Sequence, residues 1–311
     1  MRPTVVYIHG NGNKARKETL KSEWDMALFG TDMGAHSIMA YWAALRYPEP
    51  LPDAAFDEIE HVEAIGPEGQ EGVEPTGIDP TELLAETLAE VDGARTRAPA
   101  EVVEAAEGPG DVADESAGLD AWLLRMAYTA EAVVAGEESA GLEVLPLPRA
   151  ARIATFRALL KITFKDVYAY FFGGFGEPMR AVLREALTAA PDPVVVISHS
   201  LGTIIAYDVL REAAFTAREI PLFVTAGSPL GVTEVQDLVV HDLEVPAGVA
   251  AWRNIADSRD LVALDPTLRP EYAPKERCAD FLVVNDSANH HGIREYLSSR
   301  PVQESVRGLF A

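Results

Sequence analysis

A serine hydroxyl becomes a nucleophile when a base removes its proton and nearby donors hold the charge that develops on its target. Ser200 stands in the run Val194-Val-Val-Ile-Ser-His-Ser-Leu-Gly202. A β-branched strand passes through this serine straight into a helix-forming sequence, so the hydroxyl sits on a sharp strand-to-helix turn. Such a turn needs small residues two before and two after the nucleophile. Ser198 and Gly202 fill those positions, with Ser198 where glycine is usual. The turn also aims a helix N-terminus at the hydroxyl, where the helix dipole favours negative charge. The plainer alternative is a structural turn serine.

Acyl transfer requires two backbone N–H donors for the oxyanion. One follows the nucleophile and one lies in a loop after an early strand. Leu201 fits the first role, and Asn11 of His9-Gly10-Asn11-Gly12 fits the second. Gly10 to Lys14 does not read as a phosphate loop, because the four-residue gap before Gly-Lys and the following Ser/Thr are missing. A base and an orienting acid should then follow in the order Ser, Asp, His. His241 comes too early, which leaves His290 or His291 as base and Asp257 or Asp260 as acid. The spare carboxylate is expected to cap its loop.

The elements that must carry these residues alternate. Strands are predicted over 4–8, 36–42, 194–198, 222–226, 252–256 and 281–285. Helices are predicted over 14–29, 178–190, 201–218 and 302–309. Alternation of this kind argues for a mostly parallel sheet covered on both faces, an α/β fold. Between them lies a different texture, which divides the chain into a core of 1–45 and 177–311 and an insertion of 46–176. Residues 46–118 are rich in Pro, Gly, Glu and Ala and bury too little to offset chain entropy, so disorder is expected there, with short helices at 80–92 and 99–107. Residues 119–176 are helical and lid-like. Within them 120–135 forms one helix and 149–172 another, whose Ile153, Phe156, Leu160, Phe164, Val167 and Phe171 make an apolar stripe. Such a helix can cover an apolar pocket, touch a membrane surface or simply pack. Gly10, His199 and Phe164 are the expected substrate contacts.

The net charge is −23, yet 24 of the 49 acidic residues fall between Asp53 and Glu143 against three arginines there. The acidity therefore belongs to the insertion, where it is a solvated surface or a dock for a basic protein partner. The remainder is nearly neutral and offers no basic footprint for nucleic acid. The single cysteine, Cys278, excludes an intrachain disulfide and reads as a buried apolar residue. No secretory signal or membrane-spanning run is read, which points to the cytoplasm.

With these residues assembled, the chain resembles the lipase/esterase-like serine hydrolases of the α/β-hydrolase superfamily. The matching pieces are His9-Gly10-Asn11-Gly12-Asn13, Ser198-His199-Ser200-Leu201-Gly202, Ala226-Gly227-Ser228-Pro229, Asp260-Leu-Val-Ala263 and His291 with Tyr296-Leu297. The resemblance covers 1–45 and 177–311. It implies an α/β-hydrolase fold, Ser200 as nucleophile, Asp260 as acid and His291 as base, and no metal or organic cofactor. The implied activity is hydrolysis of a carboxylic ester of a small-molecule or acyl-chain substrate. Thioesterase, amidase and protease chemistry share the same triad, and a binding module that keeps the fold without catalysis is the alternative of another class.

Overall fold

The computed structural model describes residues 2–52, 160, 164–239, 242–260, 262–263, 265–287 and 290–310. The expected helices at 80–92, 99–107 and 120–135, most of 149–172 and His241 lie outside them. The chain divides into two compact units, Met1–Ala64 with Ala169–Ala311, and Ile65–Tyr168. In the second, Leu160 and residues 164–168 are described. There the Phe164 N–H donates to the Leu160 carbonyl and the Tyr168 N–H to the Phe164 carbonyl, as in a helical turn.

The first unit is built on six parallel strands, β1 (Thr4–Ile8), β2 (Ser37–Ala40), β3 (Val194–His199), β4 (Leu222–Ala226), β5 (Trp252–Ala256) and β6 (Cys278–Leu282), in the order β2-β1-β3-β4-β5-β6. Every residue of β1, β3 and β4 is buried, as expected of a parallel sheet covered on both faces. Val5 and Tyr7 of β1 and Val195 and Ile197 of β3 turn to one face. There they meet α1 (Lys17–Phe29), α6 (Ile293–Ser298) and α7 (Arg300–Arg307) through Leu20, Trp24, Tyr296, Leu297, Val302 and Val306. Helices α3 (Gly176–Ala189) and α4 (Leu201–Leu210) pack on each other and against β1. Among the described residues two further short helices are α2 (Lys165–Phe171), which begins in the second unit, and α5 (Thr233–Gln236). The chain is thus an α/β protein.

One buried charge ties the first elements together. Asp25 of α1 is wholly buried and accepts from Tyr7 Oη at 2.8 Å, Lys21 Nζ at 2.8 Å, the Met33 N–H at 3.0 Å and Ser37 Oγ at 2.8 Å. A buried carboxylate persists only when so many donors replace its water.

Three expectations shift. The helix after Ser200 ends at Leu210, not near residue 218: Glu212 leaves helical geometry (φ −68°, ψ 143°) and pairs with Arg184 of α3 at 2.7 Å. The last strand is Cys278–Leu282 and not 281–285, because Cys278 is in register with Trp252 at the sheet's edge. At its end the apolar Leu282 and, just beyond it, Val284 are exposed. The closing helical region begins earlier than residue 302, as the pair α6 and α7. Cys278 is buried as expected, and burial pushes its thiol up to about 12.

Candidate active site

The strand order reverses beside β1. The chain runs from β1 to β2 on one side and then crosses to β3 on the other, so the loops leaving β1 and β3 part in opposite directions. In an open parallel sheet the crevice at such carboxyl ends is where ligands bind. His9-Gly10-Asn11 leaves β1 at this point, and Ser200 leaves β3.

Ser200 is buried and has φ 52° and ψ −129°, one of two described non-glycine residues with positive φ. A side chain in that region is strained and is held there by what surrounds it. The Ser200 N–H donates to the Ala226 carbonyl at the end of β4 (3.1 Å), and its carbonyl accepts from Thr203 Oγ1 (2.7 Å). Two glycines make the turn fit. A Cβ on Gly10 would lie 2.6 Å from Ser200 Cβ, and one on Gly202 would lie 2.6 Å from the carbonyl oxygens of both Ile8 and His9. The amides of Asn11 and Leu201 therefore belong to two segments pressed together at Ser200. Ser198, where glycine is usual, is accommodated because its Oγ donates to the Val224 carbonyl of β4 at 2.8 Å.

His9 was read only as part of its motif, but its ring holds the β1 loop. Nε2 accepts from the N–H groups of Trp42 (3.1 Å) and Ala43 (3.2 Å), so the proton is on Nδ1, which donates to the Gly10 carbonyl (2.9 Å). The ring stacks on Trp42 at 4.6 Å. The signal in sequence would have been a tryptophan just after the second strand.

The two histidines and the two aspartates have different partners. Nδ1 of His291 donates to Oδ2 of Asp260 at 2.7 Å, and both side chains are buried. Oδ2 also accepts from Tyr296 Oη (2.6 Å), while Oδ1 accepts from the N–H groups of Val262 (2.9 Å) and Ala263 (3.3 Å). Burial pushes the Asp260 carboxyl up, but the imidazole and these donors more than offset it and hold it below the ordinary carboxylate value.

No protein-family model matches the chain, and no curated protein or solved structure matches it.

Gly227 connects the pair to Ser200. It follows Ala226, the acceptor of the Ser200 amide, and has φ +53°. A Cβ there would lie 2.7 Å from Cε1 and Nδ1 of His291 and 2.9 Å from Asp260 Oδ2. The His199 ring, next to Ser200, lies 4.5 Å from that of His291, and its Nε2 donates to the His291 carbonyl at 2.8 Å. Ser200, His199, Asp260 and His291 are thus gathered at the ends of β3, β4 and β5, with Gly10 against Ser200. His199 is 1% exposed and braces His291 from behind. Phe164 belongs to the second unit.

His290 and Asp257 hold the loops. His290 has φ 57°, and its Nδ1 lies 2.8 Å from the Asn285 carbonyl. Asp257 accepts from Arg259 Nη2 (2.7 Å), the Arg259 N–H (2.8 Å) and the Asn285 N–H (2.6 Å), so it ties the loop of Asp260 to the loop of His291. Burial works against its ionisation, but Arg259 and the Asn285 amide prevail and bring it down to about 2. Asn285 completes the brace by donating from Nδ2 to the Gly292 carbonyl at 2.8 Å. Among the described residues no group of His, Cys, Asp and Glu is arranged to hold a metal ion, and no helix is long and apolar enough to cross a membrane.

Proposed function

We propose that the protein is a serine hydrolase of the α/β-hydrolase type that cleaves a carboxylic ester. Ser200 Oγ attacks the ester carbon while His291 takes its proton through Nε2, and Asp260 stabilises the imidazolium. The oxyanion is received by the N–H groups of Asn11 and Leu201. His291 returns its proton to the leaving alcohol, and water then releases the acyl group by the same steps in reverse.

The observation that carries the reading is the backbone of Ser200. A serine held at φ 52° between a buried strand and a helix, beside a buried histidine–carboxylate pair, is costly and has no structural task that glycine would not do better. The strand order β2-β1-β3-β4-β5-β6 supports the α/β-hydrolase assignment, since it brings the loop after β1 beside the turn after β3. The test is intact mass after incubation with a fluorophosphonate probe, which phosphonylates activated serines. The native protein should gain one adduct and Ser200→Ala none. A well-folded native protein that gains no adduct overturns the proposal. Ester, thioester, amide and peptide substrates, offered in turn to the labelled-competent protein, then define the bond cleaved.

A further inference from the structure

We propose that Tyr296 is a positioning residue that fixes Asp260 against His291 and limits how strongly the carboxylate draws a proton onto the imidazole. The inference rests on the assignment of Ser200, His291 and Asp260 made above. Its basis is that Tyr296 Oη and His291 Nδ1 share one acceptor atom. Both donate to Oδ2 of Asp260, at 2.6 Å and 2.7 Å. The Tyr296 oxygen in turn accepts the N–H of Asp257 at 3.0 Å, so one of its lone pairs is occupied and its hydroxyl is held. The other acceptor within reach is the His290 carbonyl, at 3.1 Å. One hydroxyl proton cannot serve both, and the shorter bond to a charged oxygen is the stronger.

The hydroxyl is thus set between the acid's loop and the histidine's loop from a third element, α6, whose Tyr296 is itself wholly buried. A donor on Oδ2 withdraws charge from the side of the carboxylate that faces the imidazole. Removing it leaves that oxygen to His291 alone and favours the imidazolium. The titratable groups facing the pair are His199 from the end of β3, His290 on the same loop, Asp257 with Arg259 behind Tyr296, and Glu295, whose Oε2 lies over Gly292. Replacing Tyr296 with phenylalanine removes none of these groups, although it also takes the acceptor from the Asp257 N–H.

The experiment compares native protein, Tyr296→Phe and Tyr207→Phe. Tyr207 is a buried tyrosine of α4 whose Oη donates to the Glu244 carbonyl, so its loss controls for removing a buried hydroxyl. The rate of fluorophosphonate labelling is followed against pH, and the His291 ring is titrated by NMR. In Tyr296→Phe the midpoint should rise by about one pH unit, which slows labelling on the acid side about tenfold. Tyr207→Phe should match the native profile. A folded Tyr296→Phe protein with an unmoved or lowered midpoint overturns the proposal. The NMR arm separates the two readings. A raised His291 midpoint in a protein that takes no adduct supports the positioning role and overturns the hydrolase. An adduct with an unmoved midpoint does the reverse. If Tyr296→Phe does not fold, native protein carries the test: the Tyr296 hydroxyl proton should shift through the His291 titration, and a resonance that ignores it overturns the proposal.

Discussion

Nδ1 of His291 and Oδ2 of Asp260 lie 2.7 Å apart with side chains 2% and 0% exposed. A carboxylate so completely removed from water stays ionised only if its neighbours replace hydration, and here His291, Tyr296 and two backbone N–H groups do so. The bond also fixes the imidazole tautomer. With the proton on Nδ1, the lone pair that can act as a base is on Nε2.

Asp260→Asn should therefore leave the fold in place and slow fluorophosphonate labelling on the order of a thousandfold. The amide can present N–H to Nδ1, which stabilises the wrong tautomer. Labelling rates at neutral pH, with far-UV circular dichroism as the folding control, check this. A rate within a few-fold of native would remove Asp260 from the acid's role.

Gly10→Ala tests the turn by geometry alone. The added methyl would sit 2.6 Å from Ser200 Cβ, a separation that ordinary packing does not allow. Either the β1 loop or the serine must move. Relief costs about 1–3 kcal/mol of stability, and a displacement near 1 Å at the nucleophile costs about a hundredfold in rate. Urea unfolding and labelling together should show a folded protein with its reactivity largely lost.

Much of this geometry was legible because it depends on local sequence. The strand–serine–helix order around Ser200 left little choice of turn, and β1, β4 and β5 occupy the expected residues. The parallel α/β class followed from alternation. What failed depends on tertiary partners. Where the last strand lies is decided by its pairing with β5, which sets Cys278 opposite Trp252 at the sheet's edge. The doubled histidine could not be resolved by spacing, since either ring could reach an acid. The backbone distinguishes them, with His290 in the left-handed region and His291 turned to Asp260. The bracing roles of His9, His199 and Tyr296 require contacts across 33, 92 and 36 residues, which no local pattern encodes.

Asp25 provides a prediction about stability alone. Its four donors come from α1, β1, β2 and the segment before β2, and Asp25→Ala leaves Tyr7, Lys21 and Ser37 without their buried acceptor. The loss should be about 3–5 kcal/mol, read from urea unfolding. Because Asp25 does not touch Ser200, His291 or Asp260, the fraction that remains folded should label at the native rate. Lost labelling in that folded fraction would mean that the buried charge also shapes the site.

Asp257 gives a pH dependence whose sign is fixed by its environment. Its carboxyl is held down at about 2 in the folded protein, because Arg259 and the Asn285 amide favour the charged form more than burial opposes it. A group whose value falls on folding contributes stability that is complete above its unfolded value, about pH 4. That contribution is lost as the pH falls through the folded value. A fall from 3.8 to about 2 corresponds to about 2.5 kcal/mol. Asp257→Asn should therefore unfold in less urea than the native protein at pH 7, by about that amount. The gap should narrow below pH 4 and close only below pH 2, where both carry a neutral group. A gap of the same size at both ends of the range would place the effect in shape rather than charge, and the tie between the acid's loop and the histidine's loop would then have to come from Asn285 and Gly292 alone.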